Sequence, residues 1–142
     1  MCRAHDLPRV ACLLALGALT SGCDTVRDRY DTLEDARAAG LFDRGWLPDH
    51  LPASATDIHT ANNLDINTSF GRFDYRVGDD VAMLAAMKAG APANAPFDDW
   101  AYVVAKRRKV GLLPWTYRKD DATWVYFCDR AAGHCETWMW SR

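Results

Sequence analysis

The chain carries no Gly-x-Ser-x-Gly elbow, no His-Glu-x-x-His helix, no phosphate-cradling glycine loop and no Cys-x-x-Cys pair. The side chains best suited to chemistry are Asp57, His59 and Asp65, joined by His50 if its loop folds back. Carboxylates beside an imidazole can orient a general base or ligate a metal ion, and on a strand residues 57 and 59 would point to the same face. The plainer reading, adopted here, makes Asp57 the cap of a helical turn, His59 a half-exposed side chain and Asp65 part of a turn. No catalytic residue, metal or cofactor is therefore assigned, and a small hydrolase using Asp57 and His59 ranks last among the functions considered.

Two other groups offer binding chemistry. The run Lys106, Arg107, Arg108 and Lys109 could meet anionic headgroups or an acidic partner. As the last turn of a helix it would also be stabilised by the helix dipole while staying in water. Of the six tryptophans, Trp46, Trp100, Trp115 and Trp124 are expected in the core. Trp138 and Trp140 share one face of a terminal strand and are the better candidates for an exposed aromatic anchor.

Cys128 and Cys135 are the expected disulfide, since a body with one even pair fits an exported domain. A zinc site would need about four ligands, and His134 adds only one nearby. Pairing these cysteines across a hairpin fixes the register: Tyr126 opposes Thr137, Trp124 opposes Met139, Phe127 opposes Glu136 and Val125 opposes Trp138. The cysteine face should pack on the core, leaving Val125, Trp138 and Trp140 on the more accessible side, available to a helix or a partner.

The start of the chain has a different character. Arg3 and Arg9 precede an apolar run from Val10 to Leu19, and Thr20, Ser21 and Gly22 follow. This is the order of a secretory signal. As a helix the run would reach about 15 Å, half the thickness of a bilayer core. Leu19-Thr20-Ser21-Gly22-Cys23 resembles the lipobox of bacterial lipoproteins, although leucine stands four residues before the cysteine where three is usual. The resemblance implies removal of residues 1–22, acylation of Cys23 and a place on the periplasm-facing side of the envelope. Asp24 resembles the inner-membrane retention signal of enterobacterial lipoproteins. The stretch from Gly45-Trp46-Leu47-Pro48 to Leu51-Pro52-Ala53-Ser54-Ala55-Thr56-Asp57-Ile58 is similar to a segment of small proteobacterial lipoproteins, a likeness that implies no activity.

The elements that would position these residues follow from local pattern. Residues 23–31 read as a lipidated polar tether, and 32–142 as one globular domain. Thr32 with Asp35 predicts a capped helix over 33–39, ended by Gly40. Pro48 and Pro52 exclude a helix between them. Residues 58–62 and 67–77 look extended around the turn formers of 62–65, and Phe73, Tyr75 and Val77 alternate with Arg72, Asp74 and Arg76. Asp79 is expected to cap a helix over 80–89, with Met83, Leu84 and Met87 as its stripe. A helix is also read over 98–110, and three antiparallel strands over 115–118, 123–128 and 135–140. The expected architecture is α+β: a twisted antiparallel sheet of about five strands, with two or three short helices against one face.

Composition narrows the function. A quarter of the 142 residues are charged and the formal net charge is −2. Without residues 1–22 the balance is 15 basic against 18 acidic groups, which gives no electrostatic basis for binding nucleic acid. The expectation is a membrane-anchored, non-enzymatic module that binds a protein or cell-wall partner. An immunity protein against a periplasm-acting toxin is one version. An accessory subunit of an envelope assembly or a peptidoglycan-binding module is the alternative.

Overall fold

A computed structural model describes residues 24–142. The apolar leader and Cys23 lie outside the described residues. Among the described residues seven strands form one open antiparallel sheet in the order β1-β2-β3-β7-β6-β5-β4: β1 Thr25–Thr32, β2 Thr56–Asn63, β3 Thr68–Asp74, β4 Lys88–Ala89, β5 Leu113–Lys119, β6 Ala122–Asp129 and β7 His134–Ser141. Three short helices join it within the described residues: α1 Leu33–Ala38, α2 Val81–Ala85 and α3 Trp100–Lys109. The expected five-stranded α+β arrangement is thus corrected to a more β-rich fold.

The two additional strands have distinct causes. The segment read as a tether is β1, paired with β2 from Thr25 opposite Asn63 to Thr32 opposite Thr56. It is an edge strand with water on much of both faces, so it carries charges where buried strands carry apolar residues. β4 arises because the helix expected over 80–89 stops at Ala85. Asp79 does not cap it; its carboxylate accepts the Ser54 N–H at 3.0 Å. Lys88 and Ala89 then pair with Thr116 and Trp115. By contrast α1 follows its capping pattern, the Asp35 N–H donating to Thr32 Oγ1 at 3.1 Å.

The Cys128–Cys135 disulfide closes the β6–β7 hairpin. The register is the one the cysteines dictate, with Tyr126 opposite Thr137, Trp124 opposite Met139, Phe127 opposite Glu136 and Val125 opposite Trp138. The cysteine face supports the main core: Ile58, Phe73, Trp124, Tyr126 and Met139 pack under Leu33 and Ala36 of α1, Leu41, Leu47 and Leu51 of the following loop, and Met83 and Leu84 of α2.

The helices do not all lie against one face. α3 crosses to the other side, because the chain leaves edge strand β4, runs over the sheet and returns as β5. Trp100, Val103, Val104 and Arg107 recur at helical spacing and face the sheet. With Phe97 and Leu112 they cover Val125, Phe127, Trp138 and Trp140 in a second core. Val125 is fully buried beneath α3, the helix that takes this side of the hairpin. This cover lies over β5, β6 and β7, and its Phe97 touches β3 at Phe70, 5.4 Å between ring centroids. Over β1, β2 and β3 the same face is open.

Candidate binding groove

The open half of the sheet and the flank of α3 enclose a groove of about 600 Å³. Strand alternation decides what lines it. Along one row across the sheet stand Arg29 on β1, His59 on β2, Arg72 on β3 and Glu136 on β7, each opposite the next. The neighbouring row is Arg27, Ala61, Phe70 and Trp138. Arginines thus rim a floor of Ala61 and aromatic rings. Phe70 meets Trp138 edge-on at 4.6 Å between ring centroids.

At one end Asp57 sits at a bulge of β2, where the register slips between Thr56 and His59 and the backbone takes φ 47°. The extra residue turns its carboxylate toward the His59 row. Oδ1 lies 2.9 Å from His59 Nε2 and 3.0 Å from Arg29, and Oδ2 lies 3.5 Å from Arg72. The hydrogen bond from His59, helped by the positive charge of His59, Arg29 and Arg72, holds the Asp57 carboxyl below the ordinary aspartate range against partial burial. Arg72 also lies 3.2 Å from Nε2. A single ring nitrogen cannot donate to Asp57 and accept from a guanidinium at once, so the geometry assigns the proton to Nε2 and leaves Arg72 as a charge partner of Asp57.

At the other end Arg107 donates to Glu136 at 2.5 Å and lies 5.9 Å over the Trp138 ring. Arg27 forms no ion pair among the described residues. The groove therefore brings Arg27, Arg29, Arg72 and Arg107 together against Asp57 and Glu136, a cationic excess on a chain of net negative charge.

Of the residues singled out by sequence, Asp57 and His59 meet as expected for a shared face, but Asp57 caps no helical turn. Asp65 stays apart in the β2–β3 turn, its N–H bonded to Asn63 Oδ1 at 3.1 Å. His50 lies on the cysteine side, edge-on to Tyr117 at 4.6 Å, where burial depresses its basicity. In the basic run only Arg107 reaches the groove; Lys106, Arg108 and Lys109 are exposed. Trp138 forms part of the groove wall, whereas Trp140 packs on Phe97 and Trp100 and lines a separate hollow with Arg118 and Asp121. Trp115 and Trp46, expected in the core, are only partly buried.

Arg27, Arg29 and Phe70 were not visible as site residues by sequence. The alternation of Arg27, Arg29 and Asp31 with Asp28 and Tyr30 is a strand signal, but a segment so rich in charge reads as solvated chain.

Residues 24–74 match the family model described as the YbbD head domain. The match spans β1, α1, β2 and β3, about a third of the chain, and so contains the whole open half of the sheet. No curated protein matches the chain, and no solved structure does.

Proposed function

We propose that the chain is an envelope lipoprotein of bacteria, acylated at Cys23, whose body binds an acidic segment of a protein partner in the arginine-rimmed groove and performs no catalysis. The observation that carries this reading is the open half-face itself: a sheet face otherwise covered by α3 is left bare where Arg27, Arg29, Arg72 and Arg107 surround Ala61, Phe70 and Trp138. Guanidiniums recognise carboxylates in planar, two-toothed geometry, and aromatic rings supply apolar contact at small entropic cost. The match to the YbbD head domain is consistent with a bacterial envelope-associated protein.

His59 and Asp57 serve as positioning groups in this reading. The carboxylate ties Arg29, His59 and Arg72 together and keeps both guanidiniums at the rim. The test is affinity capture from envelope extracts with the acylated protein and with Arg29→Gln/Arg72→Gln. The expected result is a partner retained by the wild type, released as salt rises and at least tenfold depleted on the double variant. Equal capture by a correctly folded double variant would reject the groove as the binding site.

A further inference from the structure

Residue 24 is directly bonded to Cys23, so the two Cα atoms are separated by only about 3.8 Å. Because β1 begins at Thr25, no flexible spacer separates a lipid on Cys23 from the folded sheet. The end of the sheet that carries β1's start must then rest against the membrane. At that end the Leu64 N–H donates to the Asp24 carbonyl at 3.1 Å, which fixes the β2–β3 turn beside the anchor point. The turn exposes two large aliphatic side chains, Leu64 at 53% and Ile66 at 64%.

We infer that the β2–β3 turn is a second membrane contact, inserting Leu64 and Ile66 among the lipid headgroups and upper acyl chains beside the Cys23 lipid; the inference rests on acylation of Cys23. Two observations favour lipid over a protein occupant at this tip: the exposed aliphatic pair adjoins the residue bonded to the acylated cysteine, and no spacer lets the body stand away. Asp65 stands between the two, and the neighbouring Asp24 carboxyl raises its proton affinity, so charge gives no attraction to an anionic surface. Insertion is therefore apolar in origin and indifferent to salt, unlike a polybasic surface contact. It also sets an orientation. The strands rise away from the bilayer, and β1, at the sheet's edge, carries Arg27 and Arg29 about 13–20 Å along the strand from the anchor.

The mature protein holds its remaining cysteines in the disulfide and the acylated residue, so one introduced cysteine can carry an environment-sensitive fluorophore. Full-length protein purified from membranes as Leu64→Cys or Ile66→Cys, labelled and placed in phosphatidylcholine vesicles, should show blue-shifted emission and quenching by lipids with a quencher in the upper acyl chain. The same label at Val110→Cys, 65% exposed at the opposite end of the sheet, should report water, and 1 M salt should change neither. Ile66→Asp/Leu64→Asp should leave the protein anchored but restore water-like emission from a label at Asn67→Cys. Acylated protein with water-like emission at 64 and 66 overturns the membrane contact alone. Protein lacking the acyl mass overturns this inference together with the anchoring on which it rests.

Discussion

Asp80 and Arg130 form an ion pair of unequal exposure: the carboxylate, at 1%, is buried, while the guanidinium, at 52%, reaches water. Arg130 Nε donates to Oδ2 at 2.6 Å, and the Tyr75 hydroxyl donates to the same oxygen at 3.3 Å. The pair ties the start of α2 to the β6–β7 turn across the end of the sheet. Removing the cation leaves a buried carboxylate with neutral donors alone, which is more damaging than losing a surface pair. Arg130→Ala should therefore destabilise the domain, read as a lower denaturant midpoint.

The pH dependence of that loss has a definite sign. Arg130 holds the Asp80 carboxyl below its ordinary range, so this pair contributes stability at neutral pH that is lost as pH falls below about 4 through the folded-state value. Asp57 adds in the same direction through His59, Arg29 and Arg72. Chemical denaturation at pH 7 and pH 3 should show a smaller acid loss in Arg130→Ala than in wild type. An identical loss in both proteins would remove Asp80 from the cause.

Alkali should act through Tyr75. Burial, with the charge of Asp80 beside it, pushes its hydroxyl up to about 12. A proton held more tightly in the folded state stabilises it below the unfolded value near 10, and that stability is lost as pH rises from 10 toward 12. Buried Tyr126 is raised as well. The unfolding midpoint of wild type should fall steeply over this window, and Tyr75→Phe should flatten the fall without abolishing it.

How much of this was legible in the sequence depends on whether a residue's environment is set nearby in the chain. The β6–β7 hairpin was fully readable, because two cysteines and a period of two fix every pair between Trp124 and Met139. The cap at Thr32 was equally local. β1 was not readable, since an edge strand of alternating charge becomes a strand only through its partner, β2. α2 ended early for the same kind of reason: Asp79 is taken by Ser54, 25 residues away, and Lys88 by the edge of β5. The site inherits these limits. Asp57 and His59 were found together because they lie two apart, but the arginines that turn them into a groove come from β1 and β3.

Gly71 provides a test of how tightly that groove is built. It lies at an ordinary strand conformation, yet a Cβ there would meet Thr137 Oγ1 at 2.6 Å and the His59 carbonyl at 2.7 Å. The carbonyl belongs to the backbone of β2 and cannot rotate away. Gly71→Ala should cost about 1–3 kcal/mol as β2 and β3 are forced apart. Since His59 moves with its carbonyl, the variant should also lower partner capture. Adding Thr137→Ala should recover only part of the stability, because it relieves one of the two contacts.

The disulfide supplies the last test. Cys128 and Cys135 lie directly opposite each other with Cα atoms 4.1 Å apart, both buried in the main core between Phe73 and Tyr126. Closing so short a loop restricts the unfolded chain by roughly 2–3 kcal/mol at 25 °C. The hairpin keeps its strand pairing, its turn and the aromatic pairs beside the cysteines without the covalent link, so reduction should weaken the domain without unfolding it. Cys128→Ala/Cys135→Ala adds a packing loss to the entropic one and should melt below the reduced wild type. Differential scanning calorimetry of oxidised, reduced and double-variant protein separates the two effects. A reduced protein that melts with the oxidised one would show that the hairpin's side-chain packing alone already limits the unfolded ensemble.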